Sequence, residues 1–170
     1  MHPTCLRQKP EFFKLLVNRV VKEFLNGIRV LSSYSDECIE SKRWVYKTFG
    51  WSNYHVSELM RRSPISFKAS EENIRNKLEF FMNMMGHKPE YLILRNALFT
   101  CSLEKRMLPR YRVLQVLKER GLLSVDYDFY SAVKKSERDF LEVFIKPYND
   151  DVSGLLELYQ NSKGCSDVDS

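Results

Sequence analysis

The chain has 170 residues, 44% of them hydrophobic, with a net charge of +5 and only six glycines and six prolines. This composition predicts a globular protein with an apolar core and excludes a disordered chain. No apolar run approaches the roughly 20 residues that a membrane-spanning helix needs, and four widely spaced cysteines predict neither a disulfide framework nor a structural zinc site.

The charge is distributed unevenly along the chain. Residues 1–121 carry 22 Lys and Arg against 12 Asp and Glu, a net charge of +10, whereas residues 122–170 carry 5 against 10, a net charge of −5. A basic body favours a polyanionic partner, although a solvated, lysine-rich surface would have the same composition.

The first predicted element is a helix over residues 11–31. Apolar residues recur there in steps of three and four from Phe13 to Leu31, which is typical of one buried helical stripe. Residues 1–22 are poor in acids but not rich in serine, and they merge with this helix, so the sequence contains no clear transit peptide.

The middle of the chain contains three copies of one plan, in which a serine opens a long helix and a glycine closes it. The long helices are predicted over Ser35–Gly50, Ser70–Gly86 and Ser102–Gly121, and short helices over 53–62 and 89–96 follow the first two. The opening serines lie 35 and 32 residues apart, and the closing glycines 36 and 35. This period predicts an all-α fold, an α-helical solenoid of tandem repeats.

Three further helices are predicted after the repeats, over residues 127–135, 136–148 and 152–160. We expect residues 1–160 to form a single helical-repeat domain. Residues 161–170 are small and acidic, and they are expected to form a flexible tail.

Aligning the three copies brings one basic residue of each long helix into register: Lys42, Lys77 and Arg110. Equivalent residues of a solenoid line up on one face, so these three are expected to form a cationic row. A row of this kind could follow the phosphates of a nucleic acid.

The third copy adds further cations, Lys105, Arg106 and Arg112. Arg106 and Arg110 are four residues apart and are expected to share one helical face, turned away from the apolar stripe. The alternative is that acids such as Glu104 and Glu119 pair with these cations on an ordinary surface. The acids are too few to pair with all of them, which favours phosphate.

Three residues near the repeats have uncertain roles. Pro109 should bend its helix, which would either aim Arg110 and Arg112 into a groove or simply shape the curve of the solenoid. Trp51 could stack on a base, but its position between a helix stop and a cap favours packing. Trp44 is expected in the core.

Motifs for catalysis are missing from the sequence. It contains no phosphate-binding loop, no dinucleotide fingerprint, no nucleophile elbow and no zinc-protease helix, and its three histidines are isolated. We therefore expect a protein that is not an enzyme, with no catalytic residues, cofactor or metal.

Three segments carry a family resemblance: GWS at Gly50–Ser52, SEENIRNKLEFFMNMMG at Ser70–Gly86 and SLEKRMLPR at Ser102–Arg110. They resemble the plant members of the mitochondrial transcription termination factor (mTERF) family, over roughly residues 11–159. The resemblance implies tandem mTERF motifs that curve into a superhelix with a basic, DNA-binding inner surface. It also implies that Lys42, Lys77 and Arg110 occupy the family's basic position, and that Arg106 fits the same motif. Family members are usually longer, so the chain looks like a C-terminal half.

The resemblance implies an organellar protein, of the chloroplast or the mitochondrion, that binds double-stranded DNA and regulates transcription, termination included. The expected nucleic-acid contacts are Lys42, Lys77, Lys105, Arg106, Arg110 and Arg112. We expect a monomer without membrane association, with protein partners in organellar transcription or RNA processing. Two alternatives stay open: RNA as the ligand, as in intron splicing or RNA processing, and a protein-interaction scaffold that uses the acidic C-terminal region.

Overall fold

The computed structural model describes residues 35–164. This part of the chain consists of helices and connecting turns and contains no β-strand, so the predicted all-α fold is confirmed. The helix predicted over residues 11–31 lies outside the described range. No helix within that range is long and apolar enough to cross a membrane.

The chain divides into two compact units, one up to Ile93 and one from Leu94 onward. A single domain over residues 1–160 therefore stays a prediction. The first unit contains the first copy of the repeat and most of the second, and the second unit contains the third copy and the C-terminal helices.

Within the described residues, the first unit contains four α-helices and two irregular ones. The longer α-helices are α1 (Asp36–Thr48), α2 (Asn53–Arg62) and α3 (Glu71–Leu78), with a 3-10 helix over Pro64–Lys68 and a π-helix over Glu79–Met84. The fourth is a short helix, α4 (Pro89–Leu94), and all of it except Leu94 belongs to the first unit.

The predicted helix ends are confirmed in the first two copies. The side chains of Ser35, Ser52 and Ser70 each accept a hydrogen bond from the backbone N–H three residues later, which satisfies a donor that the helix itself leaves unpaired. Gly50 and Gly86 have φ values of +80° and +68°, a left-handed conformation that stops a helix at low cost only for glycine.

The core of the first unit is aromatic. Tyr46 is fully buried, and its ring centroid lies 5.0 Å from that of Trp51 and 5.5 Å from that of Phe67. Trp51 is 3% exposed, and its Nε1 donates to Met82 Sδ at 3.1 Å. Packing, and not base stacking, is thus the role of Trp51.

The sequence predicts Trp44 in the core, but this prediction is wrong, because Trp44 is 65% exposed. The buried residues of α1 are Lys42, Val45 and Tyr46. Because successive helical residues are about 100° apart, Trp44 is turned away from the stripe that these three share.

The second unit begins with a 3-10 helix over Asn96–Thr100 and a π-helix over Leu103–Met107, which leads directly into α5 (Leu108–Glu119). It continues with α6 (Phe129–Lys134), α7 (Glu137–Phe144), a 3-10 helix over Lys146–Tyr148 and α8 (Leu155–Gly164). Ser102 caps its helix in the predicted way, and Ser136 caps α7 with the same kind of hydrogen bond.

Packing in the second unit centres on α5, α7 and α8. Helix α5 lies against α8, and the Phe140 ring stacks on Tyr159 with the centroids 5.1 Å apart. Helix α8 starts and ends later than predicted, so residues 161–164, assigned to the flexible tail, are helical.

Candidate nucleic-acid interface

The six predicted contact residues fall into two groups of three. Lys42, Lys77 and Arg110 are buried, with exposed fractions of 6%, 5% and 0%. Lys105, Arg106 and Arg112 are exposed. The expectation that the three residues in register form a solvent-facing row is therefore wrong.

Helical periodicity explains the burial of Arg110. Five of the seven buried residues of this helix recur in steps of four and three: Leu103, Met107, Arg110, Leu114 and Leu117; the other two, Pro109 and Val113, lie beside this stripe. Arg110 thus occupies a position of the apolar stripe, and the stripe has no gap if the arginine is counted as part of it.

A π-helical turn precedes Arg110. The Met107 N–H bonds to the Ser102 carbonyl at 3.1 Å, a step of five residues, so this turn accommodates one residue more than an α-helical turn. The α-helix begins only at Leu108, next to Pro109, which has no backbone N–H to donate. Arg106 is exposed, whereas Arg110, four residues later, is buried.

The guanidinium of Arg110 contacts the junction between α6 and α7. Its Nη1 donates to three backbone carbonyls at the end of α6, those of Ala132 (2.8 Å), Val133 (3.1 Å) and Lys135 (2.7 Å). Its Nη2 donates to Glu137 Oε2 at 3.2 Å in the first turn of α7. The guanidinium carbon lies 4.6 Å from the centre of the Phe140 ring. We call Arg110, these carbonyls and Glu137 the Arg110 cluster.

Glu137 connects the Arg110 cluster to α8. Its carboxylate accepts hydrogen bonds from the Tyr159 hydroxyl, at 3.0 and 3.1 Å, and from Lys163 Nζ. Partial burial raises the pKa of Glu137, but the hydrogen bonds from Lys163, Tyr159 and Arg110 outweigh it, and the pKa is lowered overall. The carboxylate is therefore ionised at neutral pH and joins three helices.

Lys42 makes the corresponding contact in the first unit. Its Nζ donates to the Phe67 carbonyl at 2.7 Å, near the end of the 3-10 helix that follows α2. Nothing in the sequence of residues 64–68 or 132–137 marks them as hydrogen-bond acceptors. The one sequence feature that indicates these buried contacts is a basic residue at a position of the apolar stripe.

Lys105 and Arg106 have a different environment. Within the described part of the chain, neither side chain takes part in an ion pair or a hydrogen bond, and neither Glu104 nor Glu119 pairs with them. Arg112 is also exposed, and its Nη1 donates to Ser162 Oγ at 3.0 Å. This surface therefore offers cationic groups that no carboxylate neutralises.

Only some of the other exposed cations of the described residues pair with acids. Arg61 and Arg62 both bind Glu58, at 2.7 and 2.6 Å, and Lys146 binds Glu142 at 2.6 Å. The hydrogen bonds from Arg61 and Arg62 lower the pKa of Glu58 to about 2. Other cations, such as Lys47, Lys68 and Arg75, are exposed without an ion pair inside residues 35–164. Lys105 and Arg106 therefore stand out by their grouping with Arg112 on one helix, and not by the lack of an acid alone.

Residues 35–164 contain no group of three or more His, Cys, Asp or Glu side chains placed to hold a metal ion. The candidate interface consists of the exposed cations alone.

Comparison with known proteins identifies related sequences. The mTERF family model matches residues 5–141 of the chain. A segment of 84 residues is 33% identical to the mitochondrial transcription termination factor MTERF15 of Arabidopsis thaliana, covering 45% of this chain and 17% of that protein. A segment of 86 residues is 32% identical to the mitochondrial transcription termination factor MTEF18 of the same plant, covering 51% of this chain and 15% of that protein. No solved structure matches the chain significantly.

Proposed function

The chain belongs to the mTERF family, and we propose that it binds nucleic acid without catalysis and thereby regulates organellar transcription, including termination. The two Arabidopsis relatives are named as mitochondrial transcription termination factors, which supports the mitochondrion as the site of action. The aligned segments span less than a fifth of each relative, so the activity of those whole proteins enters here as part of the proposal.

The observation that carries the proposal is the unpaired charge of Lys105 and Arg106. Two neighbouring cations without a carboxylate partner repel each other, and a phosphate between them would remove that repulsion. Arg112, exposed seven residues after Lys105, adds a third donor. Contacts with phosphates release counterions from the nucleic acid, which gives affinity without reading the base sequence.

We propose double-stranded DNA as the ligand, bound through Lys105, Arg106 and Arg112. The burial of Lys42, Lys77 and Arg110 assigns those three residues to the core. The proposed interface is therefore smaller than the sequence predicts, and its contribution to affinity should depend strongly on salt.

Fluorescence anisotropy with a duplex DNA at several salt concentrations tests the proposal. The Lys105→Ala/Arg106→Ala variant should reduce the slope of log K against log salt by about 1.8, since each lost phosphate contact accounts for about 0.9. Arg61→Ala/Arg62→Ala is the matched control, because it removes the same charge from a surface where Glu58 already pairs with both arginines.

The control should leave the slope nearly unchanged. Equal losses in both variants would mean that only net charge matters, and an absence of binding would overturn the proposal. Competition with a structured RNA in the same titration decides between the two ligands, since tighter RNA binding would favour a role in splicing or RNA processing.

A further inference from the structure

We infer that the basic residue in the apolar stripe of the long helix is an internal helix cap, which in the third copy positions the exposed cations. The capping part of this inference stands by itself. The positioning part rests on the proposed function.

The same geometry occurs in both units. Lys42 bonds to the carbonyl of Phe67, and Arg110 to the carbonyl of Lys135, and in each case donor and acceptor lie 25 residues apart. Each acceptor lies at or near the end of a short helical segment: the 3-10 helix after α2 in the first copy, and α6 in the third. A shared separation in separate units indicates a property of the repeat and not a local accident.

The π-helix preserves this geometry in the third copy. Lys42 and Lys77 each lie seven residues after their capping serines, whereas Arg110 lies eight residues after Ser102. An uninterrupted α-helix would rotate the extra residue by about 100° away from the direction of Lys42 and Lys77 in their copies. The π-turn over Leu103–Met107 takes up that residue, so Arg110 returns to the buried stripe.

The chemistry of a helix end explains why a cation is needed at this position. The last carbonyls of a helix have no intrahelical partner and carry partial negative charge. Burying them without a donor is costly. The Nη1 group of Arg110 donates to the carbonyls of Ala132, Val133 and Lys135, of which Ala132 also accepts from the Lys135 N–H, and its Nη2 donates to one carboxylate.

The Arg110 cluster also fixes the turn that carries the exposed cations. Arg106 lies one helical turn before Arg110. Glu137, to which Arg110 donates, also accepts hydrogen bonds from Tyr159 and Lys163 of α8. Arg112 contacts the same helix through Ser162. The long helix of the third copy is therefore attached to α8 through Arg110 and Arg112, and the π-helix before Arg110 also packs against α8, which fixes the backbone that carries Lys105, Arg106 and Arg112.

The test compares Arg110→Met with Arg112→Met, a matched control two residues away that removes the same charge from an exposed site. Arg110→Met should lower the Tm by about 10 °C, and Arg112→Met by about 2 °C or less. At a temperature where all variants are folded, Arg110→Met should weaken duplex DNA binding without changing its salt slope, because the three exposed cations are still present but are no longer held in place. Arg112→Met should reduce the slope by about 0.9.

Arg110→Lys keeps the positive charge but replaces the planar guanidinium with a single ammonium group, so the Tm of this variant should lie between those of the wild type and Arg110→Met. If the Tm of Arg110→Lys is no higher than that of Arg110→Met, the cation has no stabilising role. The inference would also be overturned by an Arg110→Met variant as stable as Arg112→Met, or by one whose salt slope falls like that of a direct phosphate contact.

NMR of the wild-type protein gives a second readout that needs no substitution. The Nη protons of Arg110 should exchange slowly with solvent, and their signals should stay unshifted on addition of duplex DNA. Fast exchange in the free protein would overturn the cap. If the wild type binds no duplex DNA, the proposed function fails, whereas the Tm and exchange measurements still decide the capping role.

Discussion

Lys42 in the first unit and Arg110 in the second occupy equivalent positions of the repeat. Both donate to backbone carbonyls near the end of a helical segment, but through different chemical groups. The ammonium of Lys42 donates to the carbonyl of Phe67, whereas the guanidinium of Arg110 donates to three carbonyls and to Glu137 and lies on the ring of Phe140. An ammonium group is a compact charge, whereas a guanidinium is planar and holds several N–H donors in fixed directions. The difference shows that one basic position can cap a helix end in one copy and organise a helix junction in another.

Substitution by methionine should separate the two caps most clearly. We expect Arg110→Met to lower the free energy of unfolding by about 4 kcal/mol and Lys42→Met by about 2 kcal/mol, since Arg110→Met also removes a charged donor from the carboxylate of Glu137. Urea unfolding followed by circular dichroism measures both. Equal losses would mean that the contact between Arg110 and Glu137 contributes nothing.

The aromatic ring under the guanidinium should contribute less. Phe140→Leu is expected to cost about 1.5 kcal/mol, partly from packing and partly from the lost contact between the cation and the ring. The same substitution in an Arg110→Met background should cost about 0.5–1 kcal/mol less. Additive costs in this double-mutant cycle would show that the ring does not stabilise the cation.

Acid should weaken the Arg110 cluster through Glu137. Its pKa is lowered in the folded state, so its contribution to stability is complete above the unfolded pKa of about 4.3 and is lost as the pH falls through the folded pKa. Relative to Glu137→Gln, the wild type should have a higher Tm at pH 7, and this difference should shrink between pH 5 and 3.

Glu58→Gln in the first unit is the comparison for that experiment. Glu58 pairs with Arg61 and Arg62 on one surface helix and joins no other element, so its effect on Tm at pH 7 should be smaller. A larger effect at Glu58 than at Glu137 would contradict a connecting role for the Arg110 cluster.

The exposed cations should have the smallest effect on stability. Lys105→Ala/Arg106→Ala is expected to change the free energy of unfolding by less than about 0.5 kcal/mol, because neither side chain has a partner to lose within the described residues. Urea unfolding checks this. A loss comparable to that of Lys42→Met would place these residues in the fold and not on a binding surface.

Local chemistry made the helix ends predictable from the sequence. Serines followed by acids, and glycines at the other end, mark where Ser35, Ser70 and Gly86 start or stop a helix, and the structure confirms them. The all-α fold follows from the same signals and from the three- and four-residue spacing of apolar residues.

The environment of the basic residues was not predictable in the same way. The register of Lys42, Lys77 and Arg110 follows from the sequence, but cations ordinarily lie on a surface, and only the gap in the apolar stripe at Arg110 indicates burial. The acceptors lie 22 to 27 residues downstream, beyond the range of local patterns. The π-turn before Arg110 leaves only one trace in the sequence, the additional residue after Ser102.

Lysine acetylation of the wild-type protein, followed by mass spectrometry with and without duplex DNA, tests the separation of surface and core cations most directly. Lys105 is exposed, whereas Lys42 and Lys77 are 6% and 5% exposed. We expect Lys105 to react rapidly and to be protected by duplex DNA, and Lys42 and Lys77 to react slowly whether or not DNA is present. Rapid acetylation of Lys42 or Lys77 that duplex DNA suppresses, with Lys105 unaffected, would contradict this account.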